Sequence, residues 1–127
     1  MATQSAEFRP SNNIAMKVPP HEFARTVAFY RDVVCLKHLG HFEGSEVFEF
    51  GGLRLWVDPM PQLSQAEIWL ELETEDTAAA AEQLAASEVA RCDEIEPLPA
   101  GFDGFWIANP AGIVHLISKA KADRPDE

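Results

Sequence analysis

His115 stands inside an apolar run, Ile113-Val114-His115-Leu116-Ile117. The run follows Gly104-Phe105-Trp106-Ile107-Ala108 across the tetrapeptide Asn109-Pro110-Ala111-Gly112. Proline fixes one turn residue near φ −65° and glycine accepts positive φ at the end of the turn, so the spacing predicts strand, tight turn, strand. A titratable ring among aliphatic neighbours is the first candidate for chemistry. The commoner alternative is a core histidine satisfied by a hydrogen bond. His21, His38 and His41 fall at a helix start and around a hairpin. They read as surface residues, and His38 and His41 lie too near a strand turn to serve as a metal pair. Cys35 and Cys92 are far apart in apolar contexts, which predicts two reduced core thiols rather than a disulfide. The sequence has no nucleophile elbow, glycine-rich phosphate loop, CxxC or HExxH motif.

The bulk of the chain narrows the setting. A length of 127 residues suits one domain, and 46% hydrophobic residues suffice for a core. No apolar run nears the ~18 residues of a membrane span. Met1 to Asn13 is polar without the apolar stretch of a signal peptide. These features predict a cytoplasmic protein. The net charge of −11 repels nucleic acid and anionic membranes, and no basic aromatic stripe offsets it.

Periodicity supplies the elements that must position these side chains. Ile14, Met16 and Val18 alternate along a first strand. Pro19-Pro20 ends it and opens a helix, His21 to Cys35, whose apolar stripe is Phe23, Val27, Tyr30 and Val34. Strands are expected at Lys37 to Phe42, Ser45 to Phe50 and Leu53 to Val57, punctuated by Gly44 and Gly51-Gly52. The prolines in Asp58-Pro59-Met60-Pro61-Gln62 remove ladder donors, so this stretch reads as a linker. The pattern then restarts. Ala66, Ile68, Leu70 and Leu72 alternate with Glu67, Trp69, Glu71 and Glu73, and Thr74 or Asp76 caps a helix from Ala78 to Val89. A strand near Arg91 to Ile95 and the broken loop Pro97 to Gly101 precede the closing hairpin. A slide of 54 residues sets Ile14 on Ile68, and at the modules' far ends Gly52-Leu53 corresponds to Gly112-Ile113 in type and turn placement. The reading is an α+β chain with the order βαβββ twice. Module one spans about 13–58 and module two about 66–118, with 1–12 and 119–127 as loose tails.

Phe29-Tyr30-Arg31-Asp32 resembles the signature that follows the first strand in the vicinal oxygen chelate superfamily, and Asn109-Pro110-Ala111-Gly112 resembles its closing hairpin, with Asn109 in place of aspartate. That superfamily includes glyoxalases, extradiol dioxygenases and bleomycin-resistance proteins. The resemblance implies two modules forming a cup-shaped mixed sheet with helices outside, a ligand inside, and commonly a homodimer. In members that use a divalent metal, the ligand slots map here onto Asn13, Trp56, Glu67 and Leu116, with His115 one residue out of register. Asparagine is a poor ligand for zinc or iron, and Trp56 cannot ligate. Lys17 shares the inner face with Asn13 and is expected to meet an anionic ligand or to pair with Glu71. Trp56, Trp69 and Trp106 could line an aromatic cup.

The resulting expectation is a small-molecule-binding protein of the glyoxalase/bleomycin-resistance kind. It needs no metal and holds an apolar or aromatic ligand through Asn13, Lys17, Trp56, Glu67, Trp69, Trp106 and His115. The alternative is a lyase, isomerase or dioxygenase that uses Glu67 and His115 to hold Zn, Fe, Mn or Ni. A third possibility is a partner-binding domain that kept the fold and lost the site.

Overall fold

The computed structural model describes residues 6–120. Their order is β1 (Phe8–Pro10), β2 (Asn13–Val18), α1 (Pro20–Ala28), a π-helical turn (Phe29–Val33), β3 (His38–Phe42), β4 (Ser45–Phe50) and β5 (Leu53–Pro59). Then come β6 (Glu67–Thr74), α2 (Thr77–Ala86), β7 (Ala90–Arg91), a short 3-10 turn (Asp93–Ile95), β8 (Gly104–Ala108) and β9 (Val114–Lys119). The architecture is α+β with mixed strand pairing, and βαβββ occurs twice. No described helix is long and apolar enough to cross a membrane.

The described residues group into two compact units, Asn12–Trp69 and a second unit that joins residues up to Ser11 with those from Leu70 onward. The division falls inside β6. It does not fall in the proline-rich stretch expected as a linker, because β5 runs through Asp58 to Pro59 in parallel register with β2. Pro59 is tolerated as the last residue of that strand, and the next donor, Met60 N, bonds Val18 O at 2.8 Å.

In the first unit the strand order is β3-β4-β5-β2-β6. Ala15 is the register partner of Trp56 on the parallel side and of Trp69 on the antiparallel side. The face under α1 carries the core: Val18, Val27, Phe48, Leu55 and Val57, with Ile14, Met16, Phe23, Tyr30 and Leu36 packed against it. α1 is shorter than its pattern suggests. At Val34 the N–H bonds Phe29 O, five residues back, at 2.9 Å, so the stripe rotates off the sheet. Of the four expected core residues only Val27 is buried; Phe23 and Tyr30 are partly buried and Val34 is 46% exposed. Cys35 follows in a left-handed conformation, φ 61°, and is exposed rather than a core thiol; Cys92 is half-buried.

In the second unit the order is β6-β9-β8-β7, with β1 antiparallel to β6. Part of the stretch expected to be a loose N-terminal tail is therefore a strand, with Phe8 packed into the core formed by Ala80, Phe105, Ile107 and Ile117 under α2. At the other end Lys119 closes β9, and the rest of the expected C-terminal tail from residue 121, like residues 1–5, lies outside the described residues. Asp76 caps α2 by accepting from Ala79 N at 2.9 Å. The expected strand at Arg91 to Ile95 is only Ala90–Arg91, because Asp93 turns in to accept Trp106 N at 3.0 Å. In the closing hairpin Asn109 Oδ1 accepts from both Ala111 N and Ile113 N at 2.9 Å, an Asx turn that replaces backbone donors with one side chain.

Candidate functional site

Side chains alternate across a strand, so the core residues fix the opposite face. In the first unit Val18, Leu55 and Val57 lie under α1; Asn13, Ala15, Lys17, Trp56 and Asp58 therefore line the face turned away from it. Glu67 and Trp69 join them through the β2–β6 register. Five of the seven residues singled out in the sequence thus share one face of one unit.

Their polar atoms are engaged with one another. The Trp56 indole donates to Asn13 Oδ1 at 2.9 Å, and the Trp69 indole donates to Glu67 Oε1 at 2.8 Å. Lys17, 4% exposed, donates to Asp58 Oδ2 at 2.7 Å and holds its ammonium 4.6 Å from the centre of the Trp69 ring. A buried ammonium needs this pairing, and the indole face adds cation–π attraction. Trp69 is 3% exposed, so it and Lys17 form the back of the face, whereas Asn13, Trp56 and Glu67 are half-buried.

Several residues of this face went unread in the sequence, among them Arg54, the register partner of Asn13, and Val47, that of Trp56. Asp58 was assigned to a linker because of the proline after it. Phe42 belongs to the β3–β4 hairpin, where it pairs with Ser45 and sets its ring 5.7 Å from that of Trp56. A bulge between His38 and Gly40 hides its side from simple alternation. The pairing with Ser45 across the short Glu43-Gly44 turn was the available signal.

In the second unit Phe105, Ile107 and Ile117 lie under α2, so Trp106, Leu116 and Ser118 take the other face. Trp106 is buried and its indole donates to Glu96 O at 2.9 Å. Ser118 donates to Glu71 at 2.7 Å. His115 follows Ile117 onto the α2 side, and its Nδ1 lies 3.0 Å from Ile113 O. The register slip that would turn it to the other face does not occur; His115 is half-buried, not a core residue, and its hydrogen bond is a local one to the strand start.

The donors do not fit a divalent metal in the slots the fold implies. Asn13 is committed to Trp56, tryptophan and Leu116 offer no ligand, His115 faces the helix, and the Lys17 ammonium adds positive charge beside Glu67. Among the described residues no three His, Cys, Asp or Glu side chains converge as a metal group. His38 and His41 do meet, but through a carboxylate: their ring nitrogens lie 2.7 and 2.6 Å from the two oxygens of Glu46.

Solved structures decide the architecture. The chain aligns over 90% of its length with the Mn(II)-bound glyoxalase from Novosphingobium aromaticivorans, at 18% identity and a TM-score of 0.64, and spans 40% of that chain. It aligns over 91% of its length with the whole of a glyoxalase/bleomycin resistance protein/dioxygenase superfamily member from Vibrio splendidus, at 12% identity and a TM-score of 0.61. This is the vicinal oxygen chelate fold. A variant of homoprotocatechuate 2,3-dioxygenase from B. fuscum matches 93% of the chain at 15% identity and a TM-score of 0.57, over 34% of its own length. No family model matches the sequence, and no curated protein does. The vicinal oxygen chelate fold hosts several chemistries, so the likeness carries no activity with it.

Proposed function

We propose that this protein is a cytoplasmic, homodimeric small-molecule binder that works without a metal and holds an apolar or aromatic ligand against the module-one face. The observation that carries the reading is the pair of indoles fixed by Asn13 and Glu67 on one face, with Trp56 half-buried. An aromatic wall with a few fixed polar groups suits a flat ligand with a polar handle. The ligand touches Trp56, with Asn13 and Glu67 as polar contacts. Lys17 and Trp69 hold the wall from behind, and His115 takes no part. The Lys17–Asp58 pair supports metal independence, since it sets a fixed cation where a divalent ion would otherwise supply charge.

A panel of aromatic and aliphatic ligands screened by thermal shift tests the binding, because a compound that binds only the folded state raises its apparent stability. Stabilisation by aromatic compounds in the presence of a chelator is expected. Stabilisation that requires a divalent ion, with about one equivalent of metal retained on dialysis, would instead favour a metal-dependent enzyme.

A further inference from the structure

β3 is the edge strand of its unit and is held by β4 alone. Edge strands carry a single ladder and need added restraint if they are to hold a fixed geometry. Its ladder shifts register between His38 and Gly40. Residues three apart on a regular strand point to opposite faces, so this bulge is what brings His38 and His41 to the same side. There both imidazoles meet Glu46, one on each carboxylate oxygen, at 2.7 and 2.6 Å. The Glu46 side chain is 18% exposed, and the His38 ring packs on Phe48, its centroid 5.0 Å away. The Glu46 charge is also felt at Arg31, on the π-helical turn.

The same bulge leaves Gly40 and Phe42 on the opposite side. Gly40 has φ +154°, and a Cβ there would come within 3.0 Å of the Phe42 ring. Phe42 therefore lies down on bare backbone, leans toward Trp56 at an interplanar angle of 45°, and remains 50% exposed. A phenyl ring fixed beside an indole with half its surface in water is an incomplete aromatic contact.

We propose that Phe42 is the specificity-determining wall of the module-one site, that it selects a flat aromatic ring, and that Glu46, clasped by His38 and His41 on the other face, positions it. This rests on the ligand-binding reading above. Stacking on Trp56 and Phe42 rewards a planar ligand over a puckered one of equal size and polarity. Phe42 is the contact and Glu46 acts through the strand.

Calorimetric titration with naphthol and its fully saturated counterpart, decahydronaphthol, separates flatness from volume, since both carry one hydroxyl on the same carbon skeleton. Wild type should prefer naphthol; Phe42→Leu should lower naphthol affinity about three- to tenfold and remove the preference, while Phe42→Tyr keeps it. Glu46→Ala should weaken the preference and also move the Trp56 indole resonance in the direction that Phe42→Leu moves it. His38→Gln and His41→Gln, each cutting one arm of the clasp, should move it partway. Equal binding of the two compounds by wild type, or a preference unchanged in Phe42→Leu, overturns the wall. A Trp56 resonance indifferent to the loss of Glu46 in a folded variant overturns the positioning role. Binding of neither compound by wild type overturns the ligand-binding reading itself.

Discussion

Lys17 shows how much one side chain can fix. Its ammonium is buried beside Asp58, and the second Asp58 oxygen, Oδ1, is buried with no hydrogen bond among the described residues. Removing one partner of a buried pair strands the other charge, so Lys17→Met should destabilise by about 3–5 kcal/mol in urea unfolding, and the double change Lys17→Met with Asp58→Leu should recover most of it. A single substitution as mild as the double would show the pair to be solvated. Glu46 predicts a pH effect. Burial, the largest single influence, raises its pKa, but the hydrogen bonds and charge of His41 and His38 together hold it below the ordinary carboxylate value. A lowered folded pKa contributes stability that is present above the unfolded value near 4.5 and is lost as pH falls through the folded value. Acid unfolding of Glu46→Gln should therefore depend less on pH below about 4.5 than that of wild type. Neither the Lys17–Asp58 nor the Glu46 partnership was legible in the sequence, because Asp58 was assigned to a linker and the imidazoles to the surface.

Among the elements, the strands and turns were legible wherever a face is buried. Alternation at Ile14, Met16 and Val18 reads directly as burial under α1, and Asn109-Pro110-Ala111-Gly112 reads directly as the Asx-capped turn. What periodicity could not show is a change of period. The π-helical turn exposes Val34 and leaves Tyr30 only partly buried, because a turn bonded five residues back no longer returns side chains to the same line. Tyr30→Ala should consequently cost about 2–3 kcal/mol, less than the 3–5 of a fully buried ring, while Val34→Ser should stay within about 0.5 kcal/mol. Denaturation midpoints measure both. The bulge in β3 is the second such change, and it hid Phe42. Of the candidate site, Asn13, Lys17, Trp56, Glu67 and Trp69 were legible from alternation and repeat placement, whereas Asp58 and Phe42 were not. His115, the most conspicuous residue of the sequence, proved to face the helix because strand register, not residue type, decides a side.

For the molecule as a whole, net charge −11 opposes self-association, yet Phe29, Val33 and Val34 stand 49, 72 and 46% exposed on and just after the π-helical turn that follows α1. Apolar surface of this kind is what an interface core requires, so light scattering at micromolar concentration should give a dimer mass. A monomer mass would contradict it. The central claim is that the module-one face binds a flat ligand without a metal. The chain has three tryptophans, so a proton–nitrogen correlation spectrum contains three indole signals, each assignable by substitution. Titration of naphthol into protein held in excess chelator is the most direct measurement. The account predicts that the Trp56 indole signal moves in a saturable way while that of Trp106 stays in place. An unmoved Trp56 signal in chelator that responds only after a divalent ion is added would contradict it.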